Sequence, residues 1–353
     1  MNNNKIRDLI INHFHQSGFE VIFRFENKSL WDKALEKTSY TPCNYLNYSV
    51  EYEYEYQRIF FEECFDISFS VKKNNTLIAV WPLLVTKKYY NIYNITSYDN
   101  TIYPPLTSKN LSIKQKKEFI KLCIKFIEFL SKNLKLKEWR AVDVFINEIG
   151  VSLWHQYIIE KNSTLKLKYD LFLNLNNDYD LIKKNFRKSS KSLINKGKKI
   201  WKSSVMKNFN KDKWEEFKHL HLIVSGKKTR SDKTWEIHEK QIKEKEGFLI
   251  YLENKNNEIV GGGFFCFSKN ECSYRAGVYN RDLFDKPLGH TVQSIAIKEM
   301  KKINLPWYNI GPNYYDFYDP KPNEKEISIS YFKKGFSSHI VAKYEFKIQN
   351  NGK

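Results

Sequence analysis

The sequence of 353 residues lacks any apolar run close to the ~18 residues that a membrane-spanning helix requires. Near its start the longest apolar stretch is Leu9-Ile-Ile, which is too short for the core of a signal peptide. We therefore expect a cytoplasmic protein without a transmembrane segment.

Cysteine is scarce as well, and the cysteines are not spaced as pairs. The chain has five of them, an odd number without a Cys-x-x-Cys motif: Cys43, Cys64, Cys123, Cys266 and Cys272. This argues against a disulfide framework or a zinc ribbon and predicts a reducing compartment. The eight histidines show no metal-ligand spacing either, so we expect no metal site.

Acidic residues are outnumbered, with 40 of them against 59 lysines and arginines, which gives a net charge of +19. Such a charge attracts anions, among them nucleotides, CoA phosphates, RNA and anionic lipid. Lysine is enriched along the whole chain, however, and the lysines of a basic helix predicted over 178–201 cover all of its faces. We interpret that helix as a solvated surface, and charge alone does not lead us to expect a nucleic-acid partner.

The second half contains the stretch around which the chain is organised. Apolar runs on both sides of an Asn-rich turn predict hairpin strands over 247–279. A glycine-containing loop at 286–291, a helix and a strand over 307–311 follow.

The first half shows the same order of elements. A hairpin is predicted over 67–85, where Pro82 indicates an edge or a bulge because it cannot donate a ladder hydrogen bond. A helix over 112–133 and a strand over 141–146 follow. The repeated order predicts an α/β (α+β) chain of two units, 1–165 and 166–353, each a mixed twisted sheet flanked by helices.

Five stretches of the second half resemble the Gcn5-related N-acetyltransferase (GNAT) superfamily, and within it the Fem-type nonribosomal peptidyltransferases and their two-domain sugar N-acyltransferase relatives. They cover 171–199, 247–279, 288–300, 307–312 and 329–336. The resemblance implies two tandem GNAT-like units, with the acyl-donor site in the C-terminal one.

The donor motif of the superfamily is Arg or Gln, two residues, Gly, one residue, then Gly or Ala at the start of a helix. Lys286-Pro-Leu-Gly289-His-Thr291 takes that place, with Lys and Thr as departures. Backbone N–H groups there would bind the pyrophosphate of acyl-CoA, the implied co-substrate. N–H groups of the preceding strand would polarise the thioester carbonyl. The implied donor-binding residues are Gly277, Val278, Tyr279, Lys286, Gly289, His290 and Thr291.

Three residues are candidates for moving the protons of the reaction: His290 beside the donor loop, and Tyr315 and Asp316 after the last strand. Each also has a structural alternative, as a helix cap, a packing residue and a turn former respectively. Because an amine only has to bind in its neutral form, no side-chain base is required.

By the same resemblance, an acceptor that is a nucleotide-linked sugar would contact aromatic and basic side chains. The candidates are Trp81, Tyr98, Tyr103, Arg230, Trp235 and Tyr274. Arg230 suits a diphosphate, while the aromatic rings would stack on a base or sugar or else pack in the core.

The resemblance implies transfer of an acyl group from acyl-CoA to a dTDP- or UDP-linked amino deoxysugar for surface polysaccharide such as O-antigen. The alternative is Fem-type transfer from aminoacyl-tRNA to a peptidoglycan precursor, which the basic charge would serve. A basic adaptor that has lost its chemistry is a third possibility.

Overall fold

The computed structural model describes residues 1–145, 150–161 and 163–350. Contacts divide the chain into two compact units, one formed by Met1–Leu167 with Lys343–Lys353 and the other by Lys168–Ala342. The predicted α/β class with two units is confirmed, and the C-terminal segment returns to the first unit. No helix within the described ranges is both long enough and apolar enough to cross a bilayer.

The helices are α1 (Asn3–His15), α2 (Lys28–Glu36), α3 (Asn47–Gln57), α4 (Ile113–Asn133), α5 (Leu153–Ile159), α6 (Tyr179–Lys184), α7 (Lys188–Ile200), α8 (Lys211–Ser225), α9 (Asp232–Lys243), α10 (Leu288–Lys302) and α11 (Glu324–Lys334). The strands are β1 (Glu20–Phe23), β2 (Glu63–Asp66), β3 (Phe69–Lys73), β4 (Thr76–Trp81), β5 (Leu84–Lys88), β6 (Ile92–Thr96), β7 (Leu106–Thr107), β8 (Glu138–Asp143), β9 (Ser163–Asn174), β10 (Lys202–Met206), β11 (Gly247–Glu253), β12 (Ile259–Phe267), β13 (Glu271–Tyr279), β14 (Trp307–Asn313) and β15 (His339–Gln349).

In the first unit, strands in the order β1-β3-β4-β7 form one sheet and β2-β5-β6 a second one. The run predicted as one strand over 77–85 is in fact two, because the chain leaves β4 after Trp81 and joins the other sheet at Leu84. Pro82, which has no N–H for the ladder, lies at the break. The proline therefore ends a strand, which is a stronger effect than the predicted edge or bulge.

The helix predicted over 112–133 is confirmed as α4, and it begins with a capping box. The Ser112 side chain accepts from the Gln115 N–H, and the Gln115 side chain accepts from the Ser112 N–H. The strand predicted over 141–146 is β8, which ends at Asp143 and pairs antiparallel with the C-terminal part of β15. Ile146 lies outside the described residues.

In the second unit the strands follow the order β10-β11-β12-β13-β14-β9. The hairpins predicted over 247–279 are confirmed as antiparallel β11, β12 and β13. Helix α10 then returns the chain to β14, which pairs parallel with β13. This β-α-β crossover places the start of α10 after the end of β13.

The basic helix predicted over 178–201 is wrong in one respect, because the chain forms two helices, α6 and α7. At the break the Phe186 ring packs edge-on against Phe336, at 5.1 Å between ring centroids. The next residue, Arg187, donates its backbone N–H to the Gly335 carbonyl at 3.1 Å. Contacts with a distant segment therefore override the local helical preference.

Candidate functional site

Strands β13 and β14 pair over three positions only. The paired residues are Glu271 with Trp307, Cys272 with Tyr308, and Ser273 with Asn309. Beyond Ser273, β13 continues along β12 and β14 continues along β9 without a further pair between them. Within the described residues, the edge of β13 that faces away from β12 has no paired strand after Ser273, and an extended ligand could pair there as in recognition by strand addition.

Each of the two diverging strands has one extra residue near the last pair. In β13 the partners of Phe264 and Phe265 are Ala276 and Tyr274, so Arg275 bulges. In β14 the partners of Phe172 and Leu171 are Asn309 and Gly311, so Ile310 bulges. A bulge bends its strand and increases its twist, which explains why the strands diverge here.

The ammonium group of Lys333 lies at the diverging part of β14. Its Nζ is 2.8 Å from the point where a Cβ on residue 311 would be, and Gly311 has a φ of +111°. Both the close approach and the backbone angle favour glycine at this position. Helix α11 carries Lys333 and packs on β14.

Burial lowers the pKa of Lys333 to about 8, although the charge of Asp170 acts in the opposite direction. At neutral pH most of the Lys333 side chains are therefore still protonated. A cation with a pKa near 8 can stabilise an oxyanion and can also release a proton to a leaving group.

The first turn of α10 lacks a side-chain cap. Its N-cap is Pro287, whose side chain accepts no hydrogen bond from the helix, in contrast to the capping box that closes the start of α4. The hydroxyl of Thr291 donates to the Pro287 carbonyl at 2.6 Å, so it is not a cap for the N–H groups. An uncapped helix start has N–H groups and a positive dipole end for an anion.

Gly289 does not provide space for a ligand on its Cα side. A Cβ on residue 289 would lie 3.0 Å from the Phe332 ring, so this glycine allows α10 to approach α11. Nearby, a Cβ on Gly197 would lie 1.9 Å from Thr291 Oγ1 and 2.9 Å from the Pro287 carbonyl oxygen. Both glycines therefore fix the position of the first turn of α10, and Lys286 lies just before it with Nζ 6.0 Å from the Trp201 ring centroid.

His290 packs edge-on against Phe332, at 4.9 Å between ring centroids. Burial, helped by the charge of Arg187, lowers the pKa of His290 to about 4. The imidazole is thus neutral at neutral pH and is a weak base, because it accepts a proton only in acid.

The end of β13 contains the other predicted donor residues. The Tyr274 hydroxyl lies 1.7 Å from where a Cβ on Gly277 would be and 2.9 Å from the Tyr279 hydroxyl. Val278 is buried. Burial raises the pKa of Tyr274 to about 12, so this phenol stays protonated and fills the space beside Gly277.

Tyr315 and Asp316 lie in the loop after β14. Tyr315 stacks on Phe317, with 5.2 Å between ring centroids, and contacts Tyr169 edge-on. Asp316 is exposed. The Tyr314 N–H donates to the Oγ of buried Ser330, which ties the loop to the helix that carries Lys333.

Arg230 is held against the bulge of β13. Its Nη2 donates to the Arg275 carbonyl at 3.2 Å, and its Nη1 lies 3.2 Å from His238 Nε2. Its guanidinium also lies 5.4 Å from the centroid of the Trp235 ring, and that ring is buried. In this arrangement Trp235 packs against Arg230 and has little surface for stacking on a ligand.

Three of the predicted acceptor residues belong to the first unit. Trp81 is fully buried and donates its indole N–H to the Tyr103 carbonyl at 2.7 Å. Tyr103 is also buried, and its hydroxyl accepts from the Asn44 side chain. Trp81 and Tyr103 are thus packed in the core, and neither can stack on a ligand in this conformation. Tyr98 is half-buried.

Sequence reasoning did not single out Lys333. The one signal, which needs the structure to be recognised, is that Lys333 lies three residues after Ser330 on α11 and that Ser330 is buried. That spacing places it on the inner face of α11. The adjacent Lys334 hid the signal, because a pair of lysines suggests a solvated turn of helix.

No family model matches the chain, and no curated protein sequence matches it. Among solved structures, FemX superposes with a TM-score of 0.69 at 12% identity, over 94% of this chain and 97% of its own. L-PGS from Bacillus licheniformis has a TM-score of 0.59 at 11% identity and 93% coverage of each chain. The tandem GNAT protein from the clavulanic acid biosynthesis pathway gives 0.51 at 8% identity, over 95% and 99%. The chain therefore has a tandem GNAT fold.

Proposed function

We propose that this protein is an N-acyltransferase that moves an acyl group from acyl-CoA to the amino group of a dTDP- or UDP-linked amino deoxysugar, a precursor of surface polysaccharide such as O-antigen. The observation that carries the proposal is the divergence of β13 and β14 with the Lys333 ammonium beside it. The tandem GNAT fold supports it.

The edge of β13 after Ser273, which β14 does not pair, would bind the amide-containing arm of the donor, and the uncapped start of α10 would bind its pyrophosphate. The thioester carbonyl would then lie between the strands. The neutral amine attacks this carbonyl, and the negative charge that develops on its oxygen is stabilised by the Lys333 cation and by backbone N–H groups.

Collapse of the intermediate breaks the C–S bond, and the thiolate needs a proton. The pKa of Lys333, about 8, is close to the ordinary thiol pKa of about 8.5. Transfer of a proton from the ammonium group to the thiolate therefore has an equilibrium constant near one. The attacking amine loses its own proton to water, and water returns a proton to the neutral Lys333 amine, so that the Lys333 ammonium is restored. His290 takes no part in these reaction steps.

The test is release of free thiol from acetyl-CoA and hydroxybutyryl-CoA by the purified protein over a panel of dTDP- and UDP-linked amino sugars. We expect release that depends on the amino sugar, that is lost in Lys333→Met and that is retained in Lys334→Met, the matched control on the exposed side of the same helix. Absence of release over the whole panel would overturn the proposal.

A second candidate is transfer from aminoacyl-tRNA to a peptidoglycan precursor, the Fem-type reaction. The donor loop favours this candidate, because it departs from the CoA motif at Lys286 and at Thr291. In addition, the Phe332 ring occupies the space on the Cβ side of Gly289. Salt-sensitive tRNA binding without CoA binding would support this candidate. Binding of CoA that acetyl-CoA displaces and that tRNA does not affect would exclude the tRNA-dependent reaction.

A further inference from the structure

Positive charge is concentrated in one short part of the second unit. Residues 181–211 contain eleven lysines and arginines and no aspartate or glutamate. More than half of the net charge of +19 therefore comes from less than a tenth of the chain. The even distribution that the composition suggested is wrong for this segment.

The break between α6 and α7 determines how these cations are displayed. The inner face of α7 is buried and consists of Ser190, Ile194 and Gly197, the last of which contacts the first turn of α10. The lysines of α7 therefore lie outside this buried face and are not distributed around the whole helix. Helix α6 folds back beside them because Phe186 and Arg187 are anchored to the segment after α11.

Contacts along the seam of α6, α7 and α10 bring the lysines together. Lys191 Nζ donates to the Lys184 carbonyl at 3.0 Å, and Lys183 Nζ donates to Asn195 Oδ1 at 3.1 Å. From α10, Lys298 Nζ lies 4.8 Å from the centroid of the Tyr179 ring. We call the resulting patch the basic surface; it consists of Lys183, Lys184, Lys188, Lys191, Lys196, Lys198, Lys199 and Lys298.

These lysines form no close ion pairs with carboxylates among the described residues, and Asp180 is the acidic group whose charge reaches Lys198. Across the described ranges, no ion pair joins a lysine of the basic surface to a carboxylate, whereas the next lysines along the chain, Lys202 and Lys207, pair with Glu253 and Glu299. The pKa of Lys198 is lowered, first by burial and then by the charges of Lys298 and Lys183, and the opposing charge of Asp180 is a smaller effect. The cations therefore repel one another, and an anionic partner would relieve this repulsion.

Two exposed apolar side chains accompany the lysines. Leu181 is 46% exposed one helical turn before Lys184, and Ile200 is 39% exposed one turn after Lys196. An RNA backbone in water would give these side chains no apolar environment, whereas the boundary between lipid headgroups and acyl chains would. The arginine of the segment, Arg187, already donates to the Tyr331 carbonyl and stacks on its ring, so it is not free to form a fork on a phosphate.

We propose that the basic surface docks this protein on an anionic membrane surface, with Leu181 and Ile200 entering the headgroup region. Lysines near such a surface attract it as point charges, without a need for specific geometry. The proposal is independent of the donor that the active site uses. It implies that this part of the protein works at the membrane surface.

The test is cosedimentation of the full chain with vesicles of phosphatidylcholine alone and of phosphatidylcholine with phosphatidylglycerol in equal amounts. We expect binding to the anionic vesicles only. The triple variant Lys188→Gln, Lys196→Gln and Lys199→Gln should bind them about a hundred-fold more weakly, since each lysine contributes roughly five-fold near an anionic surface. A matched triple variant of exposed lysines on α4, namely Lys114→Gln, Lys117→Gln and Lys125→Gln, removes the same net charge and should bind as the wild type does.

A second variant separates lipid from RNA. Leu181→Ser with Ile200→Ser keeps every lysine, and both side chains are exposed, so the fold should be unaffected. We expect it to weaken vesicle binding at physiological salt. The proposal is overturned if the wild type does not bind anionic vesicles, if the two lysine triples lose binding equally, or if the α7 lysines are needed for tRNA binding but not for vesicle binding.

Discussion

The Nζ atom of Lys333 lies 2.8 Å from the point that a Cβ on residue 311 would occupy, so the ammonium group is packed against the backbone of Gly311. This contact places a cation beside β14 just after that strand has separated from β13. Burial of an ammonium group disfavours its charged form, which is why the pKa of Lys333 falls to about 8. A residue that lowers stability at a strand divergence is expected to be retained for activity.

Replacement of Lys333 by methionine should therefore stabilise the fold while it removes activity. Methionine has nearly the same length and needs no solvation, so we expect the free energy of unfolding at neutral pH to rise by about 1–3 kcal/mol. Urea denaturation followed by circular dichroism measures the change, and Lys334→Met is the control, with an expected change within about 0.5 kcal/mol. A destabilised Lys333→Met variant would show that the ammonium group holds the fold together.

The stability gained by Lys333→Met should depend on pH in a defined direction. The folded pKa of about 8 lies below the ordinary value of 10.5, so between these values the unfolded chain binds a proton at residue 333 that the folded chain does not. Wild-type stability then rises with pH across this range, because the unfolded state holds more protons.

The difference in the free energy of unfolding between Lys333→Met and the wild type should consequently be largest below pH 8 and should decrease toward pH 10.5. Urea titrations of both proteins at neutral pH and midway through this range measure it. A difference that stays constant with pH would mean that Lys333 has an ordinary pKa.

His290 should contribute no titration to the reaction near neutral pH. Its pKa of about 4 reflects burial against Phe332 and the nearby charge of Arg187. We expect His290→Leu to keep the shape of the pH–rate profile above about pH 5, although packing changes can lower the rate. Loss of a profile limb between pH 5 and 8 in this variant would identify His290 as a general base after all.

The sequence predicted the regular elements of the second unit well and the shape of its site poorly. Strands β11 to β13 and helix α10 follow from local apolar periodicity and turn residues, which are properties of neighbouring residues. The bulges at Arg275 and Ile310 depend on pairing between strands, and no local pattern marks the extra residue. The break at Phe186 depends on Phe336, which lies far along the chain.

Aromatic side chains show the same limitation at the candidate site. Trp81 and Trp235 were suitable for stacking on a ligand or for packing in a core, and composition cannot decide between these roles. The structure buries both. Lys333 presented the opposite problem, since a lysine suggests solvent unless the helix face on which it lies is already known to be buried.

The first turn of α10 should be sensitive to a single methyl group on α7. A Cβ on residue 197 would overlap Thr291 Oγ1, at 1.9 Å, so Gly197→Ala must displace either α7 or the start of α10. We expect a loss of about 1–3 kcal/mol in the free energy of unfolding, together with weaker binding of acetyl-CoA by isothermal titration. Adding Thr291→Ala removes the overlapping hydroxyl and should recover part of both losses, although the Pro287 carbonyl oxygen at 2.9 Å still limits the fit. Recovery of stability without recovery of acetyl-CoA binding would show that the first turn of α10 is a packing element and that the donor phosphates bind elsewhere.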